Sequence, residues 1–336
     1  MKGRQENERK TIVLIENLLK DQPNYLKDYY VALNGNGKSY TTQLKYLRYA
    51  IYLIEYLQKE YNLSLNTPEN FSQVKVSMIN AYMLSIKYKE DGTEMSYSLK
   101  ACRFYGIKNF FDFLVDDEYI PNNPCSKVKL PKNKDQHKVV SLTKDEIQRI
   151  KDNITSGVGN EEAVKRQKNW RKRDMALVML ALSLGLRVTS VSEINMEDID
   201  FENNLLTIVE KGNKIRTLEF SNNVKSILLE WIDDRWELMD KSYKRCNALF
   251  ITSRIERMKA DAIRKMIEKY TYNIDKHITP HKLRSTCATN VYEKTGDIYL
   301  VADVLGHSNL ANTRRYTAVS DEKRKQAAQA MDDILF

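Results

Sequence analysis

Apolar residues recur along the N-terminal third of the chain at the spacing of one helical face. In YTTQLKYLRYAIYLIEYLQKEY they fall at Leu44, Leu47, Ile51, Ile54 and Leu57, three and four apart, and Ser39 to Thr42 supply a capped start. VSMINAYMLSIKY (76–88) and SYSLKACRFYGIKNFFDFLVDDEY (96–119) keep the same period, and turn-prone pairs such as Asp91-Gly92 separate the runs. The pattern predicts a bundle of roughly four or five helices over residues 1 to about 120.

The period then stops. IPNNPCSKVKLPKNKDQHKVV carries Pro121, Pro124 and Pro131, and between Cys125 and Val140 the lysines Lys127, Lys129, Lys132, Lys134 and Lys138 face the single acid Asp135. A basic linker over 123–140 is expected, dividing a helical domain (1–122) from a second domain (141–336). Taken alone it reads as a solvated loop; between two domains it could also strap a duplex, since lysines meet phosphates regardless of sequence. Past it, SLTKDEIQRI opens a helix with Thr143 as N-cap and Glu146 completing a capping box. The basic run KRQKNWRKRD leads into the apolar helix MALVMLALSLGL. LTIVE and IRTLEF then alternate as strands around the turn KGNK. Helices follow to the end, where Ser320 caps a tail helix (320–336) striped by Ala327, Met331, Ile334 and Leu335. The expected fold is mainly α with a small antiparallel β-sheet.

Composition narrows the partners. The chain has 336 residues, enough for two domains, and its 42% hydrophobic content excludes a wholly disordered protein. Fifty-four Lys+Arg against forty-five Asp+Glu give a net charge of +9, favouring a polyanionic partner, most economically nucleic acid. Cys102, Cys125, Cys246 and Cys287 form no CxxC pair, so zinc and disulfide frameworks are disfavoured. No apolar run has membrane-spanning length, and MKGRQENERK lacks a signal-peptide pattern. A cytoplasmic protein, associated with the bacterial nucleoid, is expected.

NGNGKS (34–39) imitates the end of a phosphate-binding loop. The first glycine of that motif would fall on Ala32, and DYYVAL before it reads as helix, so the motif fails. Four other sites bear on chemistry. LGLR puts Arg187 at the end of an apolar helix, and KGNK puts Lys211 at a hairpin tip. TPHKLRSTCATNVYEK puts His281 and Arg284 one turn apart at a helix N-terminus, where anions are favoured. LGHSN puts His307 in a turn before the helix bearing Tyr316. Each has a plain structural reading: a snorkelling arginine, a turn lysine, a capping histidine, a hydrogen-bonded histidine. Together they are what DNA cleavage without a metal needs. Two guanidinium groups can clamp the non-bridging oxygens of a phosphodiester. A tyrosine of ordinary pKa about 10 gains from a nearby histidine and cations, and a mobile lysine can protonate a leaving oxygen. His277 and His281 are four apart, but Pro280 intervenes and no HExxH glutamate follows, which disfavours zinc hydrolysis.

In their order, LGLR, EKGNKIR, HKLR, LGHSN and a tyrosine nine residues after its histidine resemble the catalytic domain of the tyrosine recombinase (phage integrase) family over roughly residues 140–320. The N-terminal helices resemble that family's core-binding, SAM-like domain. The resemblance implies that Arg187 and Arg284 hold the scissile phosphate and that Lys211 protonates the departing 5′ oxygen. It implies that His281 assists proton transfer from the tyrosine and His307 hydrogen-bonds the phosphate. Tyr316 would attack to form a 3′-phosphotyrosyl link, which conserves the phosphodiester energy, so neither metal nor ATP nor any other cofactor is needed. It further implies double-stranded DNA sites as partners and a homotetramer on them, with the two domains clamping each half-site. The C-terminal helix would dock on a neighbouring protomer, the alternative being its own domain. Lys127, Lys129, Lys132, Lys134, Arg314 and Arg315 are candidate DNA contacts. One position departs from the family pattern: Ser190 stands three after Arg187, where an acid is usual, and the nearest acid is Glu193. Integration and excision of a mobile element is the expected task. The alternatives are a Xer-like chromosome-dimer resolvase, a type IB topoisomerase-like nicking-closing enzyme, or a non-catalytic DNA-binding regulator of the same fold.

Overall fold

A computed structural model describes residues 2–88, 91–130, 139–209, 214–307, 309–310 and 313–317. The chain divides into two compact units, Met1–Gln136 and His137–Phe336, each with its own hydrophobic core.

In the first unit the described helices are α1 (Lys2–Leu19), α2 (Asn24–Gly35), α3 (Tyr40–Tyr61), α4 (Val76–Ser85) and α5 (Tyr97–Asp116). The stripe Leu44, Leu47, Ile51, Ile54, Leu57 faces inward, as its spacing predicts. Ser39 occupies the N-cap position of α3, but its hydroxyl lies 2.9 Å from the Thr42 hydroxyl and caps no backbone N–H. On α5 the cap does form, with Ser96 accepting from the Leu99 amide. Helices α3 and α5 cross closely at Gly106, where a Cβ would come within 2.7 Å of the Tyr49 ring. Residues read from the sequence as the start of the linker pack on this unit. Cys125 is buried in its core at the head of a 3-10 turn, Pro124–Lys127, with Val128 and Leu130 against it. Burial, with Asp112 nearby, pushes the Cys125 thiol up to about 12.

The second unit runs α6 (Lys144–Ser156), α7 (Glu161–Lys168), α8 (Arg171–Leu184), α9 (Val188–Glu193), β1 (Ile199–Asp200), β2 (Leu205–Val209), β3 (Ile215–Glu219), α10 (Asn222–Ser242), α11 (Ala260–Tyr270), α12 (Pro280–Thr295) and α13 (Ile298–Leu305). The capping box of α6 forms as its sequence predicts: Thr143 accepts from the Glu146 amide, and Glu146 accepts from the Thr143 amide. Helix α8 is apolar on nearly every side because α10, α12 and α6 pack around it, and its residues from Ala176 to Ala181 are all buried. The two alternating runs pair antiparallel, Leu206 opposite Leu218 and Val209 opposite Ile215. The short strand β1, not predicted, completes the order β1-β2-β3. At the other end of α8, Asp174 is 1% exposed. It accepts from Arg173 Nε and Nη2 at 2.9 and 2.7 Å and from the Tyr270 hydroxyl at 2.8 Å, fixing α8 to α11.

Candidate active site

The segment bearing Arg187 is shaped by Gly185. Helix α8 stops at Leu184, and Gly185 turns left-handed (φ +58°). A Cβ at Gly185 would meet Leu305 Cδ2 at 2.9 Å and Cys287 Sγ at 3.2 Å, so three elements close on this point. Sequence reading puts Arg187 at the end of the apolar helix. The structure places it beyond the glycine turn instead, extended and half-buried, as the residue that starts α9. Ser190, the departure from the family pattern, is buried one turn into α9.

Helix α12 begins at Pro280, whose missing N–H costs nothing in a first turn. His281 lies exposed in that turn, whereas Arg284 is 3% exposed. Arg284 Nη1 donates to the Gly185 carbonyl at 2.6 Å, and Nη2 donates to the Leu305 carbonyl. One guanidinium therefore ties the LGLR turn, α12 and the end of α13 together across long stretches of sequence. These two bonds go to neutral carbonyls. Beneath it, burial pushes the Cys287 thiol up to about 11 despite the pull of Arg284, so the thiol stays neutral.

Helix α13 ends in a Schellman turn. Gly306 is left-handed (φ +61°), its amide donates to Asp303, and the His307 amide donates to Ala302. The next two carbonyls are taken by arginines: Val304 by Arg216 Nη2 at 3.2 Å, Leu305 by Arg284. Arg216 Nη2 also reaches the Asp303 carbonyl at 2.5 Å. The turn fixes where His307 leaves the helix. His307 Nδ1 lies 2.9 Å from the hydroxyl of Thr313, a fully buried residue. Its ring stacks on Tyr316, with centroids 6.4 Å apart and planes 17° off parallel. Tyr316 sits in a 3-10 turn, Arg314–Thr317. It is 4% exposed, packed with Ala288, Val301 and Leu305.

The structure thus brings His307 against Tyr316 and ties Arg284 to the turn that leads into Arg187 and to the helix that leads into His307. His281 stands one turn before Arg284. Lys211, Lys132, Lys134 and the tail helix 320–336 lie outside the described residues. Lys127 and Lys129 are exposed on the first unit, Arg314 is exposed beside Tyr316, and Arg315 shares its 3-10 turn. Thr313 and Arg216 were not foreseen. A threonine three before the tyrosine and an arginine on an edge strand carry no local signal of their contacts.

The profile of the phage integrase family matches residues 140–323, more than half of the chain. The chain belongs to that family of tyrosine recombinases: it is a DNA strand-transferring enzyme, and its function is site-specific recombination. It is 28% identical over 296 residues to tyrosine recombinase XerC of Mannheimia succiniciproducens, covering 87% of this chain and 92% of that protein. It is 28% identical over 256 residues to XerC of Escherichia coli O157:H7, covering 76% and 79%. Among solved structures, the Tn1549 transposon integrase in complex with transposon right end DNA superposes with a TM-score of 0.67 at 18% identity, over 91% of this chain and 99% of that one. The XerH site-specific recombinase bound to palindromic difH substrate, a post-cleavage complex, gives 0.66 at 19% identity over 85% and 80%. These structural likenesses share the mainly helical fold with its small sheet. Among the described residues no helix is long and apolar enough to cross a membrane.

Proposed function

We propose that Tyr316 is the nucleophile of the recombination reaction, and that Arg187, Lys211, His281, Arg284 and His307 act with it on one phosphodiester. The tyrosine oxygen bonds to phosphorus, and the bond from phosphorus to the 5′ oxygen breaks. His281 assists departure of the phenolic proton, while Lys211 supplies the proton that the 5′ oxygen gains. Arg187 and Arg284 hold the non-bridging oxygens, and His307 donates a hydrogen bond to one of them. The 3′-phosphotyrosyl link keeps the bond energy, so a 5′ hydroxyl from another strand rejoins it without ATP; the two guanidinium groups supply the charge that a metal would bring.

The observation that carries this reading is the junction at α13. A single buried guanidinium spans Gly185 and Leu305, and the same helix end leads into the His307 ring stacked on Tyr316. The first unit serves in this reading as the core DNA-binding domain, and the two units clamp a half-site with the linker lysines on the phosphates. Four protomers exchange strands pairwise through a Holliday junction, the tail helix docking in trans.

The test begins with DNA covalently captured by the purified protein from fragmented genomic DNA, which yields the site. On a nicked duplex of that site, Tyr316→Phe should bind but leave no covalent adduct; a normal adduct from that variant sinks the assignment. Recombination of paired sites, against mere relaxation of a supercoil, separates a recombinase from a nicking-closing enzyme. We place the sites at the ends of a mobile element. The likeness to XerC favours a second reading, chromosome-dimer resolution, and mapping the captured site to an element end or to the chromosome decides between them.

A further inference from the structure

We propose that Arg216 is a positioning residue, clipping strand β3, and with it the hairpin whose turn carries Lys211, to the C-terminal carbonyls of α13 that lead into His307. The inference rests on the reading of Lys211 as the leaving-group acid.

Three observations support it. The first is the place of Arg216 in the hairpin. Val209 and Ile215 form the last described pair, Lys211 lies in the short stretch of sequence between them, and Arg216 stands one residue inside that pair, opposite Ile208. Any shift of Arg216 therefore moves the strand end from which the stretch bearing Lys211 leaves. The second is topology. In the order β1-β2-β3, strand β3 is an edge. One side is paired with β2, and the alternating burial of β2 (Leu206, Ile208) anchors that strand to the core, whereas β3 is mostly exposed. The outer side of β3 has no strand partner among the described residues, so side-chain contacts supplement the ladder with β2 there. The third is the nature of the grip. Arg216 Nη2 donates to Asp303 and Val304, eighty-seven and eighty-eight residues away. Helix C-terminal carbonyls attract cations, and charge-assisted bonds to them are directional. Arg284 takes the next carbonyl from the other side. The two arginines therefore hold one helix end between the hairpin and the phosphate-clamping segment, so the acid and the phosphate ligands keep a common frame.

The discriminating measurement uses a leaving group that needs no proton. Replacing the 5′-bridging oxygen at the captured site by sulfur makes the departing group a thiolate, stable near neutral pH, where an alkoxide is not. Tyr316 still bonds to phosphorus, and the phosphorus–sulfur bond breaks. On a nicked oxygen duplex, Arg216→Gln should slow adduct formation by about ten- to a hundredfold, the scale that misplacement of a catalytic group brings, with duplex retention unchanged. On the sulfur duplex its rate should return to within about threefold of the unaltered protein, as should that of Lys211→Ala. In a Lys211→Ala background, Arg216→Gln should add no further loss on oxygen. An undiminished rate overturns the proposal, and so does a loss equal on oxygen and sulfur, which would make Arg216 a cap for α13 alone. Arg216→Lys, which keeps one donor to one carbonyl, should give a smaller loss with the same sulfur rescue, and it serves if the glutamine variant fails to fold. If the unaltered protein forms no adduct, or Lys211→Ala is not rescued by sulfur, the reading of the chemistry itself fails and this inference with it. That outcome is distinct from a defect specific to Arg216.

Discussion

In the first unit the largest buried side chains are rings. Tyr25, Phe71 and Phe110 meet with centroids 5.3 to 6.4 Å apart, and Tyr29 and Phe113 continue the cluster at 5.1 to 6.4 Å. In the second unit, buried or half-buried arginines repeatedly donate to backbone carbonyls far along the chain. Arg173 reaches Ile251, Arg235 reaches Ala248, Arg257 reaches Ser192 and Ile194, and Arg284 and Arg216 meet on the end of α13. The difference follows from what each unit must hold. A helical bundle satisfies its own backbone, so its core needs only volume and shape. A unit that brings several turns and helix ends to one point buries carbonyls that no helix or sheet satisfies, and each needs a donor. A guanidinium supplies several at once, and its own burial is offset by those bonds.

The comparison can be broken, from the largest expected effect downward. Arg284→Ala removes both donors from the junction. Adduct formation on the captured site should fall by at least about a thousandfold, as for other electrostatic groups acting directly on a reacting centre. Denaturant unfolding should show a loss of about 2–4 kcal/mol, two buried carbonyls being left without a partner. A variant that cleaves normally would refute the clamp. Phe110→Ala attacks the ring core and should cost about 3–5 kcal/mol. Hydrogen exchange should show the loss in α3 and α5, with α8 keeping its protection; equal loss in α8 would show that the cores are not separate in energy. Gly185→Ala puts a methyl 2.9 Å from Leu305 on a backbone at φ +58°. A cost of about 1–2 kcal/mol is expected from the left-handed conformation, together with slower cleavage because Arg187 follows directly. The smallest effect concerns Glu146. Burial alone would raise its carboxyl, but Lys276 at 2.8 Å and the Thr143 amide outweigh that and hold it below the ordinary glutamate range. A lowered value means stability present above the unfolded range and lost as pH falls through the folded one. Melting curves of the native protein should therefore carry a small acid-side decline that Glu146→Gln lacks.

Much of the molecule can be read directly from the chain. The Leu44-to-Leu57 stripe, the Thr143–Glu146 box and the alternation that makes β2 and β3 each depend on residues near one another in the chain, and the LGLR, HKLR and LGHSN motifs are each a few consecutive residues whose order is read directly. Periodicity and capping are local physics, so the sequence shows them. Ser39 and Arg187 mark the edge of that legibility. Both lie at boundaries, where a hydroxyl chooses a neighbouring side chain over a backbone amide, or a glycine turn moves an arginine from one helix to the next. The packing of Cys125 and Val128 on the first unit was likewise hidden, because three prolines and a run of lysines look the same whether the apolar residues among them are covered or not.

From sequence alone, this protein's fold class and its family were determined, since helical period, strand alternation and motif order need no distant partner. Only the tertiary structure decided that Arg284 bridges Gly185 and Leu305, that Thr313 faces His307, and that Arg216 grips the end of α13. Each of these is a directional hydrogen bond, and for the two arginines the acceptor is a backbone carbonyl, a group that every residue carries. No side-chain identity marks such a carbonyl in advance, so the fold alone selects it.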